Sequence, residues 1–239
     1  MSLVIVIPAY NAARHIEGVL GRIAALGECG LSHVFVVDDG SKDDTARVAR
    51  ASGFSRCPLS VVQRSQNGGY GAALKDLLDL ARQSDPDVVA CVHADGQYSP
   101  EVLPALCAEL RRRQLDLLQG SRIASGSALS GGMPLYKYAA NAVLNVIENR
   151  TLKLELTDYH SGYLLYGRRA LSLPFDRLSD SFDFDLEVIA SARARGLAVG
   201  EAPIPTHYGD EESHLNPMTY GLRVLRVMWN YRRGRYAAT

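Results

Sequence analysis

Short apolar runs alternate with longer stretches in which apolar positions recur every three or four residues, and this alternation lays out the chain. Residues 3–7, 34–37, 61–62, 88–92, 115–118 and 163–166 are dense in aliphatic and aromatic side chains. Such runs suit strands covered on both faces. Between them the spacing predicts helices over 13–26, over 101–113, where Val102, Leu103, Leu106 and Leu110 share a face, and over 137–151. Ser41 with Asp44 three residues on predicts a capping box for another helix. The glycine turn at 66–71 opens the next, with Lys75 in its second turn. Acids at 183, 185 and 187 mark a further helix start, as the macrodipole favours, and Asp183 is read as structural. Near the C-terminus Tyr220, Val224, Val227, Met228 and Tyr231 fall at helical spacing. Strand and helix alternate four times before residue 115, which predicts an α/β fold with a central, mostly parallel sheet flanked by helices.

Composition then narrows the class. A chain of 239 residues that is 47% hydrophobic buries one large core. Lys and Arg number 26, as do Asp and Glu, so the broad basic field of a nucleic-acid binder is missing. The cysteines Cys29, Cys57, Cys91 and Cys107 form no C-x-x-C pair, which points to reduced thiols in a cytosol. Residues 1–9 are too short and too soon polar for a signal peptide, and no stretch is apolar enough for a membrane span. The first strand leads into Pro8-Ala9-Tyr10-Asn11 rather than G-x-G-x-x-G, and no Walker A loop follows, so the usual dinucleotide and phosphate loops are excluded.

The chemistry collects where strands end. Residues 88–92 run into His93-Ala94-Asp95-Gly96-Gln97. In an extended chain His93, Asp95 and Gln97 point the same way, as three metal ligands at the edge where open α/β sheets bind ligands. The competing reading is a polar turn, since Asp-Gly is a common turn signal. Thr157-Asp158-Tyr159-His160-Ser161-Gly162 reads either as hydrogen-bonded turn residues or as a base and acceptor holder. The polar segment 207–214 reads as a lid over the site, and the Ser- and Gly-rich 124–134 as a mobile loop. The apolar stripe of the last helix packs on the domain or meets a membrane.

Taken in order, Ile7-Pro8-Ala9-Tyr10-Asn11, Val37-Asp38-Asp39-Gly40-Ser41, Asn67-Gly68-Gly69, Asp95-Gly96-Gln97 and Gly120-Ser121-Arg122 resemble the family 2 glycosyltransferases of the GT-A fold. Tyr159-His160-Ser161-Gly162-Tyr163 and the Phe184-Asp185-x-Glu187 helix extend the likeness toward the dolichol-phosphate mannosyltransferase-like branch. The resemblance implies one GT-A-like domain over 1–239: a nucleotide-sugar half at 1–122, an acceptor-side half with the lid at 123–217, and an amphipathic helix at 218–239.

It implies an inverting, metal-dependent transfer of a sugar from a nucleotide diphosphate sugar to a lipid-phosphate or small soluble acceptor. Pro8, Ala9, Tyr10, Asn11, Asp39, Lys75 and Ala94 would then hold the nucleotide. His93, Asp95 and Gln97 would hold Mn²⁺ or Mg²⁺, and Arg122 an acceptor phosphate or the diphosphate. Asp158 would act as base for an alcohol acceptor, or orient basic partners for a phosphate acceptor that needs none. His160, His207, Ser213 and His214 fall to the acceptor side and lid. Three positions depart from the family: His93 for an Asp, Ala12 for a Glu and His207 for an Arg. His93 therefore reads either as a metal ligand or as a donor contact. The expected place is cytoplasmic, with peripheral contact at the inner membrane face and the oligomeric state left open. A nucleotidyltransferase or a nucleotide-sugar-binding protein with little turnover are the competing functions.

Overall fold

The computed structural model describes residues 1–124, 126, 133–205 and 217–237. Seven strands form one sheet: β1 (Leu3–Ala9), β2 (Leu31–Asp38), β3 (Leu59–Gln63), β4 (Val88–Cys91), β5 (Leu117–Ser121), β6 (Leu164–Gly167) and β7 (Val199–Pro203). Their order is β3-β2-β1-β4-β6-β5-β7. All pairings are parallel except those of β6, which runs antiparallel to both β4 and β5. The central, mostly parallel sheet is as expected. β7 is not among the strands the pattern predicts, because Val199-Gly200-Glu201-Ala202-Pro203 carries little β-branched content. Its place at the sheet margin explains the tolerance, since an edge strand accepts a Pro and half-exposed side chains.

Period-two alternation divides the core. Val4 and Val6 of β1 face one side, with Leu74, Leu77 and Leu78 of α3 (Tyr70–Arg82) and Ile189 of α6 (Phe184–Ala194). Leu3, Ile5 and Ile7 face the other, against Ile16 and Leu20 of α1 (Ile16–Ala24) and Leu106 of α4 (Leu103–Arg112). Both faces are covered, so β1 reads as an unbroken apolar run. The helix α2 (Thr45–Ala51) lacks the predicted capping box: Asp44 is its N-cap without a side-chain bond, and Ser41 bonds elsewhere. Long α5 (Leu135–Leu152) lies along α7 (Pro217–Arg232), and α7 also rests on α6.

This topology sets the site. The parallel strands β1, β2, β4 and β5 all end at one edge, and antiparallel β6 begins there, so residues 158–163 arrive beside them.

Candidate active site

The first wall joins the ends of β1 and β2. Asn11 takes a left-handed φ of 51°, which Asn tolerates better than most residues. That turn lets the Asn11 N–H donate to Ser41 Oγ at 2.8 Å while its own Oδ1 accepts from Lys42 N at 2.9 Å. Ser41 N donates to Asp38 Oδ1 at 2.9 Å, and Ala12 N to Thr45 Oγ1 at 2.8 Å. Tyr10 is left exposed at the rim, with Pro8 and Ala9 beneath it in β1. Asp39 does not stand free for a ribose, as expected of it. It is buried, and its two oxygens accept from Gly68 N at 2.9 Å, Gly69 N at 2.8 Å and Arg64 at 3.2 Å, fastening the glycine turn. Its neighbour Asp38, passed over in the sequence, is fully buried with Oδ2 lacking a hydrogen-bond partner.

Lys75 is likewise committed. Its ammonium donates to Leu178 O and Asp180 Oδ1 at 2.5 and 2.7 Å, clamping α3 to the segment before α6. The nucleotide-binding role expected of it finds no support in that geometry.

The second element is the 93–97 segment. β4 stops at Cys91, and Ala94 and Asp95 form a turn completed by Gly96 at φ 76°. The alternation that would aim His93, Asp95 and Gln97 at one point is therefore absent. Asp95 Oδ1 accepts from Gln97 N at 2.9 Å, a local turn bond. His93 lies edge-on to Tyr98 and Tyr70, its Nε2 3.2 Å from Gly162 O and 3.3 Å from Tyr70 Oη. Gly162 makes that approach feasible, since a Cβ there would stand 2.8 Å from the ring. Burial lowers the imidazole pKa, Arg122 adds to this, and Asp95 opposes it. A neutral ring is the ligand form. Among the described residues no three His, Cys, Asp or Glu side chains gather into a metal cage. Any cation held at this turn would have to take most of its ligands from substrate phosphate and water.

Arg122 and Asp158 make the third element. Arg122 follows β5, Asp158 precedes β6, and their side chains are 9% and 0% exposed. Asp158 Oδ2 accepts from Arg122 Nε at 2.6 Å and from its backbone N at 3.1 Å, while Oδ1 accepts from Nη2 at 2.9 Å and from His160 N at 3.0 Å. Burial alone would push the carboxyl up, but the Arg122 charge and hydrogen bonds hold it below the usual carboxylate range. A carboxylate so bound is a poor proton acceptor, which favours the orienting role over that of base. Arg122 Nη1 also donates to Tyr98 Oη at 3.5 Å, so one tyrosine separates the arginine from His93.

His160 is less open than an acceptor contact needs. Its Nδ1 pairs with Tyr220 Oη at 2.9 Å and its Nε2 lies 3.4 Å from buried Glu148, tying the strand entrance to α5 and α7. The acids opening α6 are structural anchors: Asp183 accepts from Ser179 and Arg223, Glu187 from Tyr236 and Ser179 N. Asp185, not singled out for chemistry in the sequence, accepts from Tyr70 Oη at 2.8 Å. His207, Ser213 and His214 lie outside the described residues, as does the whole 207–214 segment.

The model of glycosyl transferase family 2 matches residues 4–173. The low-salt glycan biosynthesis hexosyltransferase Agl6 of Haloferax volcanii is 30% identical over 229 residues, which span 95% of this chain and 53% of that protein. The polyprenol monophosphomannose synthase of Mycolicibacterium smegmatis is 28% identical over 203 residues, 84% of this chain and 75% of that protein. Among solved structures, glucosyl-3-phosphoglycerate synthase from Mycobacterium tuberculosis, in complex with Mn²⁺, UDP and phosphoglyceric acid, superposes with a TM-score of 0.73. It covers 96% of this chain and 78% of its own at 20% identity, a likeness of fold.

Proposed function

Because the chain belongs to glycosyl transferase family 2, in its dolichol-phosphate mannosyltransferase-like branch, and is a glycosyltransferase acting on a nucleotide sugar, we propose that its acceptor is a lipid phosphate and that transfer inverts the anomeric centre. The observation that carries this reading is the state of Asp158. An alcohol acceptor must lose a proton as the new bond forms, and Asp158, the carboxylate paired with Arg122, is locked and held acidic. A phosphate acceptor is already anionic. Its oxygen attacks the anomeric carbon from the face opposite the leaving group, the new C–O bond forms as the bond to the nucleoside diphosphate breaks, and no proton moves. Arg122, pre-aimed by Asp158, supplies the fixed positive charge that receives such a phosphate.

Asp95, His93 and Gln97 would hold the divalent ion, which when bound offsets charge on the departing diphosphate. Since Asp39 is occupied, Asp38 with its unpartnered oxygen is the better candidate for the nucleoside. Imidazole suits Mn²⁺ better than Mg²⁺, so His93→Asp should move relative activity toward Mg²⁺. An unchanged Mn²⁺ to Mg²⁺ ratio would assign His93 to the donor instead.

The outer side of α5 and α7 supports contact with a bilayer. α7 has two apolar stripes: Val224, Val227 and Met228 are buried, while Leu222, Leu225 and Trp229 are exposed. On α5, Leu135, Tyr136, Val143 and Val146 are exposed as well. Arg150, Arg226, Arg232, Arg233 and Arg235 share these exposed segments, and the only acid on either helix is buried Glu148. Apolar and cationic side chains together match an anionic membrane surface. No helix among the described residues is long and apolar enough to cross it.

The deciding experiment incubates the protein with nucleotide sugars and Mn²⁺, adding either a polyprenyl phosphate or a soluble alcohol. Nucleoside diphosphate release and a sugar-bearing lipid are expected only with the phosphate. Transfer to the alcohol at an equal rate would overturn the assignment.

A further inference from the structure

Tyr70 and Asp185 come from opposite ends of the sequence, yet they meet behind His93. The N-terminus of α3 presses on the segment before α6: Gly71 N donates to Asp180 O at 2.9 Å, and a Cβ at Gly71 would lie 2.3 Å from Ser179 O. That close approach puts the Tyr70 hydroxyl between Asp185 Oδ2 at 2.8 Å and His93 Nε2 at 3.3 Å.

The proton positions follow from the chemistry of the partners. Tyr70 has one proton, and above about pH 7, where Asp185 is ionised, the carboxylate at 2.8 Å takes it. The tyrosine oxygen then offers only lone pairs to His93, and the carbonyl of Gly162 on the same nitrogen can only accept. Both neighbours therefore require a proton on Nε2, shared between them. Among the described residues no hydrogen bond engages Nδ1, which keeps the ring's lone pair. A histidine that ligates a metal commonly donates its other N–H to a carbonyl in this way.

We infer that Tyr70 and Asp185 are positioning residues: by accepting the Tyr70 proton, Asp185 fixes His93 as the Nε2–H tautomer and leaves Nδ1 as the one ring atom able to bind the donor or its cation. The inference rests on the role proposed for His93, while the tautomer itself can be tested without any ligand. Asp185 is buried with Oδ1 lacking a hydrogen-bond partner, and no basic side chain among the described residues pairs with it. A carboxylate with this little local support suits the orienting role better than that of a structural anchor such as Glu187.

The arrangement has a signature that plain packing does not share. In Asp185→Leu the Tyr70 hydroxyl loses its acceptor and turns its proton onto His93 Nε2, which forces the Nδ1–H tautomer. In Tyr70→Phe/Asp185→Leu the misdirected donor is gone, and Gly162 O alone restores the Nε2–H form. The second substitution should thus rescue the first. At a pH about one unit above the Asp185 value of about 7, nitrogen-15 NMR of histidine-labelled protein reads the tautomer directly, and broadening of the His93 signals by added Mn²⁺ reads access to Nδ1. Asp185→Leu should raise the Mn²⁺ concentration needed by about tenfold or more, as when the partner that orients a ligating histidine is lost, and the double variant should recover most of it. A wild-type ring protonated on Nδ1, or a double variant no better than Asp185→Leu while thermal unfolding shows both folded, would overturn the inference. Should the single variant fail to fold, the wild-type and double-variant tautomers decide: both must be Nε2–H. Tautomers as expected but no Mn²⁺ effect in any form would uphold the positioning role and remove the metal reading.

Discussion

The two walls of the cleft are held by different forces. The β1–β2 wall is laced mostly by bonds from backbone N–H groups, to Ser41 and Asn11 near the surface and to Thr45, Asp38 and Asp39 beneath. The β5–β6 wall depends on charge removed from water, in the buried pair of Arg122 with Asp158. Neutral local bonds each contribute about 1 kcal/mol and can yield as a flat base and ribose slide in. A buried ion pair yields little, because separating it leaves an uncompensated charge. One wall therefore suits a group recognised by shape and the other a group recognised by charge, which agrees with a phosphate on the acceptor side.

The contrast is broken most strongly at Asp158. Asp158→Ala should cost about 3–5 kcal/mol in denaturant unfolding, since Arg122 is left buried without its partner. Pairing it with Arg122→Met should recover much of that stability but no turnover. A loss under about 1 kcal/mol for Asp158→Ala would mean that charge does not hold this wall.

Asp185 gives the next effect, with the opposite sign in pH. Burial pushes its carboxyl up to about 7, against the opposing hydrogen bond from Tyr70. Unfolded, it would titrate near the usual value of about 3.9. The folded state thus binds the proton more tightly, so this contribution is fully present below about pH 4 and is lost as pH rises toward about 7. Asp185→Asn should be more stable than the native protein at pH 8, by at most roughly 4 kcal/mol, and equal to it near pH 4. Melting temperatures at the two values test this, and a constant difference between the proteins would reject it. Asp158, held low, behaves the other way: its contribution is present above about pH 4 and falls away as acid protonates it.

The exposed apolar stripe of α7, proposed to meet a bilayer, gives a smaller effect. Leu222→Glu or Trp229→Glu should weaken co-flotation with phosphatidylglycerol vesicles by about tenfold each, as expected from losing one inserted apolar side chain. Folding should be unaffected, because both residues point away from the core. Binding unchanged by either substitution would leave this face to another partner. The smallest effect belongs to the neutral wall, where Ser41→Ala should cost about 0.5–1.5 kcal/mol and raise donor KM more than it lowers kcat.

The sequence by itself determined the sheet, because each β-branched run is long enough to be covered on both faces and each ends in a turn. It also determined the family, through short motifs whose order survives without any knowledge of contacts. It did not reveal β7, whose weak strand residues are held by the edge of the sheet. Nor could spacing tell that 93–97 turns rather than extends, since Gly96 at a positive φ redirects the chain within two residues. Asp39, Lys75 and Asp158 look alike in a linear reading: charged residues near strand ends or in the helix turn that follows one. Their partners come from residues 64 to 69, 178 to 180 and 122, and only the folded chain brings those within 3.2 Å. The pairing of Tyr70 with Asp185 spans 115 positions and was set by the docking of α3 against the start of α6. Local pattern fixes which elements form because periodicity and propensity act over a few residues; which charge is neutralised and which nitrogen carries a proton depend on neighbours that only tertiary packing supplies.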